Sequence, residues 1–178
     1  MSTAYFLSSA RLGFRSWSED DLPIAIDLWG DPEVTRLIDA RRRLSREQVR
    51  ERLEKEMATE RAHGVEYWPV FLLSSEELVG CCGLRPKDEP RGVFEIGFQI
   101  VSRHWGCGYA SEAAAAVMAH AFGSLRVKGL FAGHHPANEV SRRVLAKLGF
   151  RYTHDEFYQP TGLEHPSYFL SDEEYAGK

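Results

Sequence analysis

Two glycines, Gly106 and Gly108, mark the stretch of this sequence that is best suited to bind a phosphate group. Because glycine has no side chain, consecutive backbone N–H groups in such a turn can close around an anion. The residues from Ala110 onward have the spacing of a helix, and the dipole and unpaired amides of a helix N-terminus also favour negative charge. The turn therefore predicts a binding site for a pyrophosphate.

The segments on either side of this turn predict a strand and a helix. Apolar residues occupy every second position along residues 93–101, which is the period of a strand: Phe94, Ile96, Phe98 and Ile100. After the turn, apolar residues recur at spacings of three and four and form one helical face: Ala110, Ala113, Ala114, Val117, Met118, Ala121 and Phe122. The alanines at 113–116 favour helix and allow it to approach a sheet closely.

Two other phosphate-binding motifs do not fit this turn. A Walker loop requires Gly-Lys-Ser/Thr, whereas the chain has Gly108-Tyr-Ala. A dinucleotide fingerprint requires a third glycine near Ser111 and an acidic residue about 20 positions further on. The corresponding strand ends in Ala132-Gly-His-His, so both motifs fail on spacing.

The turn instead resembles the acyl-CoA pyrophosphate loop of the GCN5-related N-acetyltransferase (GNAT) superfamily. The family pattern Gln/Arg-x-x-Gly-x-Gly/Ala is matched by Arg103-x-x-Gly106-x-Gly108. Glu95-Ile-Gly-Phe stands before the loop, and Trp-Gly-x-Gly-Tyr-Ala-Ser-Glu-Ala runs through it. With this context the chain is similar to the branch that includes the ribosomal-protein N-terminal acetyltransferases RimJ and RimL.

Two further matches extend this resemblance over roughly residues 10–170. Asn138-x-x-Ser141, followed by Lys-Leu-Gly-Phe, occupies the same place in the acetyltransferases. The family also ends in a pair of strands, and residues 151–158 and 164–170 predict such a closing hairpin.

The resemblance implies one α/β (α+β) domain over residues 1–178 with the GNAT fold. This fold has a single central mixed, mostly antiparallel twisted sheet of six to seven strands, flanked by about four helices, with a splayed parallel strand pair that holds acyl-CoA. Local patterns predict the elements themselves. Strands are expected at 10–15, 67–73, 78–84, 93–101 and 127–133, and helices are expected to begin near Asp21, Asp31, Ser45 and Asn138.

By the same resemblance, the pantetheine arm of acyl-CoA lies in the gap between the two parallel strands. Ile100 and Val101 are expected to supply backbone groups to it, and Asn138 to bond a pantetheine amide. The pyrophosphate is expected within the loop formed by Arg103, His104, Trp105, Gly106, Cys107, Gly108, Tyr109 and Ala110.

The implied reaction is direct attack of an amine on the thioester, with no covalent enzyme intermediate. It needs a deprotonated amine, a polarised carbonyl and a donor for the leaving thiolate. Ser141 is the candidate donor, and Glu95 is the candidate base, acting directly or through water. Each has a plainer alternative: Asn138 as a helix cap, Ser141 as an ordinary first-turn serine, and Glu95 as a structural strand carboxylate.

Other reactive residue types fit the site less well. Cys107 stands at a helix N-terminus, but no base is coupled to it in the sequence. Adjacent His134 and His135 at a strand end point to opposite sides and have no evident third ligand, so no metal is expected. The aromatic residues at 68, 158 and 168 either line an acceptor pocket or belong to the core.

Composition limits the class of protein. The 178 residues carry a net charge of −4, which argues against a nucleic-acid partner. No apolar run approaches the ~18 residues needed to span a bilayer, and the N-terminus lacks the pattern of a cleaved signal. The three cysteines at 81, 82 and 107 lack zinc-site spacing, so a reducing cytoplasmic compartment is expected.

The sequence therefore predicts an acyl-CoA-dependent N-acyltransferase with acetyl-CoA as donor and a primary amine as acceptor, either a protein N-terminus or a small amine. Two alternatives remain open, a CoA-binding regulatory domain without turnover and a transferase for a longer acyl group such as succinyl. Partners other than these substrates are not expected, whether nucleic acid or membrane, and the chain is expected to be a monomer or a homodimer.

Overall fold

A computed structural model describes residues 4–177, which form eight strands and six α-helices. The strands are β1 Leu7–Ser8, β2 Leu12–Phe14, β3 Tyr67–Leu72, β4 Leu78–Asp88, β5 Val93–Ile100, β6 Gly129–Gly133, β7 Arg151–Tyr158 and β8 Leu163–Ser171. The helices are α1 Leu22–Trp29, α2 Pro32–Thr35, α3 Arg46–His63, α4 Tyr109–Gly123, α5 Glu139–Lys147 and α6 Asp172–Ala176.

The expected mixed, mostly antiparallel sheet is confirmed, with strand order β1-β2-β3-β4-β5-β6-β8-β7. It has more strands than the six to seven expected, because β1 is only two residues long and too short to show alternation. The count of about four helices was also low. α2 spans four residues and α6 five, too few for either to show a helical apolar period.

The parallel pair β5 and β6 diverges soon after it begins. Its ladder consists of Val93 with Gly129, Phe94 with Leu130, and Glu95 with Phe131. Beyond Glu95, β5 stays paired with β4 as far as Ile100, whereas the end of β6 pairs with β8. A gap therefore opens between the two strands, and the backbone groups of β5 that face it have no strand partner. The expected splayed pair is confirmed.

Helices cover both faces of the sheet. Of the four alanines at 113–116 predicted to approach the sheet, Ala113 and Ala114 are fully buried against it, whereas Ala116 is half-buried and Ala115 is exposed. A second core lies under α1 and α3 on the opposite face and contains Trp17, Leu28, Trp29, Val49, Leu53 and Phe71. Each fully buried side chain of Val or Leu size contributes about 1.5–3 kcal/mol. Packing in the two cores fixes the positions of β5 and β6, and therefore the gap between them.

The predicted helix starts are present. The Asp31 side chain accepts from the Glu33 N–H, and Ser45 forms the expected capping box with Gln48. Val140 stands four residues before the buried Val144, a spacing that predicts a core residue on the same helical face, yet it is 58% exposed. Only the later residues Val144 and Leu145 of this helix are buried, so its first turn is left at the mouth of the gap.

Candidate active site

A cleft of about 650 Å³ occupies the gap between β5 and β6. The glycine turn before α4 and the first turn of α5 border one end of it. Glu95 borders the other end, near the point where the strands diverge. Tyr158 and His165 also line the cleft, and the His165 ring centre lies 5.8 Å from that of His135. The predicted site residues that line the cleft are Glu95, Ile100, His104, Trp105, Gly106, Gly108, Tyr109, Ala110, Asn138 and Ser141.

The two glycines of the turn adopt the left-handed conformation. Gly106 has φ 78° and Gly108, the N-cap of α4, has φ 79°. A residue with a Cβ pays roughly 1–2 kcal/mol for this conformation. A Cβ at Gly106 would meet nothing within 4 Å, and one at Gly108 would meet only Arg11 Nη2 at 3.7 Å. The turn thus leaves room beside the amides of the first turn of α4, which have no acceptor within the helix. A pyrophosphate fits this arrangement.

Two residues near the start of the sequence, Ser9 and Arg11, bind the first turn of α4 and hold the glycine turn in place; we call these contacts the clasp. Glu112, in the first turn of α4, accepts hydrogen bonds from Ser9 Oγ (2.7 Å), Arg11 N (2.9 Å) and Arg11 Nε (2.7 Å). Arg11 Nη2 also donates to the Cys107 carbonyl at 3.1 Å, and its guanidinium lies 4.4 Å from the centre of the Tyr109 ring. Burial alone would raise the pKa of Glu112, but the bonds from Ser9 and Arg11 hold it below its usual value. Nothing in the sequence pattern pointed to this clasp.

Three predicted cofactor residues are not placed in the cleft. Val101 is 1% exposed; its N–H donates to Val79 O at 2.9 Å and its carbonyl accepts from His104 N at 3.0 Å, so both backbone groups are hydrogen-bonded within the protein. Arg103 turns away and pairs with Asp27 and Glu77, each at 2.8 Å. The Cys107 side chain is exposed on the outside of the turn. These three residues are therefore placed outside the lining of the cleft, and their expected contacts with the cofactor stay predictions.

The remaining loop residues are held by contacts that shape the cleft wall. His104 Nε2 lies 3.1 Å from Glu77 Oε1, and its ring meets Tyr109 edge to face. Trp105 Nε1 donates to the Ile100 carbonyl at 2.8 Å. That carbonyl is therefore already engaged, although Ile100 itself lines the cleft.

Asn138 and Ser141 lie together at the start of α5. The Asn138 side chain accepts from Ser141 N at 3.0 Å, so it caps the helix. Ser141 is half-buried at the cleft wall. A capping oxygen leaves the amide NH₂ of the same side chain as a donor, so the cap does not exclude a ligand contact by Asn138.

Glu95 is held by a tyrosine across the sheet. Tyr67 Oη donates to Glu95 Oε1 at 2.7 Å. A Cβ at Gly97 would come within 2.4 Å of the Tyr67 ring, so Gly97 leaves the space on β5 that this ring occupies when it reaches across β4 to Glu95. Burial, and then the Glu95 charge, raise the pKa of Tyr67 well above its usual value, so the hydroxyl stays protonated.

A cation and a second carboxylate complete this network. Arg85 lies opposite Glu95 on β4, 4.0 Å from the centre of the Tyr67 ring, and pairs with the buried Glu56. Glu56 also accepts from Tyr67 N at 3.1 Å. The alternation along residues 93–101 correctly predicts that Glu95 lies off the main apolar face. Its partners on other strands could not be predicted, because no local sequence pattern indicates them.

The aromatic candidates divide between cleft and core. Tyr158 lines the cleft, with its ring centre 4.7 Å from that of His165. Burial, with His135 and His134 adding to it, lowers the pKa of His165 to about 4, so this ring is neutral at physiological pH. Trp68 and Tyr168 are 2% and 8% exposed and belong to the core, so the pocket interpretation is wrong for these two.

The adjacent histidines make local contacts. His134 Nδ1 lies 2.8 Å from the His135 carbonyl and its Nε2 lies 3.3 Å from Tyr168 Oη, while His135 Nδ1 accepts from Ala137 N. Over residues 4–177, no three side chains of His, Cys, Asp or Glu are grouped so as to hold a metal ion. Among the helices in that same range, none is long and apolar enough to cross a membrane.

Comparison with known proteins identifies this architecture. The acetyltransferase (GNAT) domain model matches residues 11–151. An uncharacterized N-acetyltransferase p20 of Bacillus licheniformis is 28% identical over 151 residues, 85% of this chain and 83% of that protein. The protein YkkB of Bacillus subtilis is 33% identical over 127 residues, 71% of this chain and 73% of its own.

Solved structures share the fold. An acetyltransferase of the GNAT family from Bacillus anthracis superposes with a TM-score of 0.80 at 24% identity, covering 94% of this chain and 98% of that one. The ribosomal-protein alpha-N-acetyltransferase RimL, in complex with coenzyme A, superposes with a TM-score of 0.79 at 15% identity, covering 93% and 97%. The chain belongs to the GNAT acetyltransferase family, and its enzyme class is that of the N-acetyltransferases.

Proposed function

We propose that the cleft binds acetyl-CoA and that the protein transfers the acetyl group to a primary amine by direct attack. The observation that carries this proposal is the divergence of β5 and β6 after Glu95, which opens a cleft running to a glycine turn with free space beside its amides. A long acyl-CoA arm fits between the strands, with its pyrophosphate at the N-terminus of α4.

The residues proposed to hold the cofactor are fewer than the sequence suggested. The turn from His104 to Ala110 contributes mainly backbone N–H groups, and Cys107 only its backbone. Residues 96–100 of β5 offer the backbone groups that β6 no longer pairs. Asn138 is proposed to direct its amide NH₂ to the pantetheine arm while its oxygen caps α5.

Two side chains are proposed to assist the reaction, one by taking a proton and one by donating a hydrogen bond. Glu95 takes the proton from the attacking ammonium, directly or through a water, because it is a carboxylate at the point where the two strands diverge. Ser141 donates a hydrogen bond to the thiolate as the C–S bond breaks and keeps its own proton, while the proton that the amine has released neutralises the thiolate through solvent.

The proposed setting is a single domain in the cytoplasm. Cys81 and Cys82 are free thiols buried in the two cores, which suits a reducing compartment. The similarity of fold to RimL supports a protein N-terminus as one class of acceptor to be tried, beside small amines.

The test is an amine-panel assay that follows release of the free CoA thiol, paired with calorimetry of acetyl-CoA and succinyl-CoA binding. The proposal expects micromolar binding of acetyl-CoA and thiol release that depends on an amine. Tight CoA binding without turnover on any amine would identify a CoA-binding regulatory domain instead. A preference for succinyl-CoA in both measurements would reassign the donor.

A further inference from the structure

Arg52 presents to the cleft a positive charge that has no ion-pair partner among residues 4–177. It comes from α3 and lines the cleft, with its guanidinium 4.7 Å from the centre of the Trp29 ring. Its Nη2 donates to Gln99 Oε1 at 3.2 Å, and its buried Nε has no hydrogen-bond partner among residues 4–177. Of the three other arginines that line the cleft, Arg85 pairs with Glu56 and Arg36 with Glu33, whereas Arg143 is an exposed residue of α5.

The hydrogen-bond partner of Arg52 is a neutral amide oxygen, Gln99 Oε1, which also accepts a hydrogen bond from another side chain. Gln99 Oε1 also accepts from Trp29 Nε1 at 2.8 Å and lies 3.6 Å from Cys81 Sγ. Burying a guanidinium costs free energy because the group loses its hydration, and a single neutral partner does not compensate for this loss. An anionic ligand would offset that free-energy cost. Burial lowers the pKa of Arg52, yet a guanidinium stays charged at any physiological pH.

The two carboxylates near Arg52, those of Asp39 and Glu56, form ion pairs with other arginines. Asp39 accepts from Arg41 Nε at 2.9 Å and Arg41 Nη2 at 2.6 Å. Glu56 accepts from Arg85 and from the Tyr67 backbone. Neither of these forms an ion pair with Arg52; they interact with its charge only at longer range, so its N–H groups remain available to a ligand.

Arg52 and Glu95 both line the cleft. Gln99, which holds Arg52, projects from the same face of β5 as Glu95 and lies four residues away, about 13 Å along a strand. Both charges act on Tyr158, which lines the cleft. An acceptor whose amine approaches Glu95 therefore extends toward Arg52.

We infer that Arg52 is a specificity-determining residue that binds a carboxylate carried by the amine acceptor, so that the acceptor is a small amino carboxylate. The inference rests on the proposed function and narrows it. Arg52 reaches the cleft from α3, on the face opposite α4, which is the side from which an acceptor can approach a thioester lying between β5 and β6. A guanidinium matches a carboxylate with two parallel N–H···O bonds.

The test compares amines that differ only in this group. α-Amino acids and ω-amino carboxylates of three to six carbons are assayed against the matching carboxamides, in the parent, Arg52→Gln and Arg52→Lys. The parent should favour the best carboxylate by at least about tenfold in kcat/KM, equivalent to about 1.4 kcal/mol. Arg52→Gln should remove this preference, Arg52→Lys should retain part of it, and the KM for acetyl-CoA should not change.

Arg50→Gln is the matched control, because Arg50 is exposed on the same helix and pairs with Glu47. Equal kcat/KM for carboxylates and carboxamides in the parent would overturn the inference. So would a loss on Arg52→Gln confined to succinyl-CoA as donor, since the anion would then belong to the acyl group.

Binding measured without turnover separates this inference from the proposed function. Calorimetry is run with the CoA-saturated protein and the same pairs of carboxylate and carboxamide. Carboxylate binding that Arg52→Gln abolishes supports the inference even if no amine is acetylated, in which case the proposed reaction alone fails. A carboxylate that binds no better than its amide refutes the role of Arg52, whatever the enzyme turns over. The Arg52→Lys variant keeps the result interpretable if Arg52→Gln does not fold.

Discussion

The Tyr67 hydroxyl donates a 2.7 Å hydrogen bond to the Glu95 carboxylate, and this bond joins two strands that are not neighbours in the sheet. It spans β4 because Gly97 leaves space for the Tyr67 ring. Tyr67 is 4% exposed and fixed among the side chains of the second core, so Glu95 is oriented by a rigid neighbour. A carboxylate held in this way is a suitable proton acceptor at one point of the cleft.

Glu95→Gln should therefore lower kcat/KM most strongly near neutral pH. Alkyl amines are largely ammonium there and cannot attack a thioester, and glutamine retains the volume of glutamate but cannot accept the proton. Activity should partly recover as pH rises and free amine accumulates, while acetyl-CoA affinity stays the same. The measurement is a pH–rate profile of both proteins, with Tyr67→Phe as a variant that retains the carboxylate. Superimposable parent and Glu95→Gln profiles would leave Glu95 a structural role only.

The strands and helix starts of this fold could be predicted because their signals are local. Alternation in 93–101 and the capping box at Ser45 each depend on residues within a few positions of one another. The bond between Tyr67 and Glu95 joins residues 28 apart, and the clasp between Arg11 and Glu112 joins residues 101 apart. Such contacts are set by strand register and helix docking, which no short pattern encodes.

Some single residues differ from the sequence pattern because the local backbone turns, or a helix begins, in a way that residue spacing does not show. The loop pattern includes Arg103, but a 3₁₀ turn at Ser102–His104 directs its side chain to Asp27 and Glu77. Val140 has the spacing of a core residue, yet the first turn of α5 projects beyond the sheet. Spacing predicts which residues share a face, whereas burial depends on what lies opposite that face.

Gly108→Val should weaken acetyl-CoA binding by at least about tenfold, since the added side chain would fill the space beside the turn and strain its backbone. Calorimetry of the folded variant provides the measurement. Gly64→Val is the matched control, because Gly64 ends α3 with φ 69° and open space around its missing Cβ. The control should lose comparable stability and bind acetyl-CoA like the parent. Equal affinity in Gly108→Val would place the pyrophosphate elsewhere.

Breaking the clasp should loosen the same turn from outside the cleft. Arg11→Ala removes the ion pair with Glu112 and the bond to the Cys107 carbonyl, so acetyl-CoA affinity should fall several-fold. Because Arg11 is not among the cleft-lining residues, kcat at saturating acetyl-CoA should change less than the dissociation constant. Arg126→Ala, at an exposed position beyond α4, is the control. A variant whose affinity matches that of the parent would show that α4 holds the turn unaided.

Ser141→Ala should lower kcat more than it weakens acetyl-CoA binding. The proposed bond to sulfur strengthens only as thiolate charge develops, so its loss appears in the transition state. Steady-state kinetics and calorimetry on one preparation provide both numbers. Turnover at the parent rate would reduce Ser141 to a structural residue and make Tyr158 the next candidate acid.

Asn138 can be tested apart from its capping role. Asn138→Ala removes both the cap and the amide, whereas Asn138→Ser keeps a capping oxygen for Ser141 N and removes only the amide. If the amide binds pantetheine, both variants should lose affinity for acetyl-CoA, but only Asn138→Ala should lose about 1 kcal/mol of stability. Parent-like affinity in Asn138→Ser would show that the residue acts as a cap alone.

The buried Glu66 should make stability fall as pH rises. Its side chain is 0% exposed; Oε1 accepts from Trp17 N at 2.9 Å, and Oε2 has no hydrogen-bond partner among residues 4–177. Burial raises the pKa of Glu66 from 4.5 to about 8 in the folded protein. Between these two values the folded state holds a proton that the unfolded state has released, so each rise in pH lowers the free energy of unfolding. The full stabilisation is present below pH 4.5 and is lost by about pH 8.

Glu66→Gln removes the titration while keeping the shape of the side chain. The difference in unfolding free energy between parent and variant should therefore decline across this window, by at most about 1.4 kcal/mol per pH unit. Urea unfolding at pH 5.5, 7.0 and 8.5, roughly spanning the interval between the two pKa values, measures it. Glu54→Gln, exposed on α3, controls for the loss of a charge. If the difference between parent and Glu66→Gln were the same at all three pH values, Glu66 would be ionised in the folded protein, and its buried charge would need a partner that Trp17 N alone does not supply.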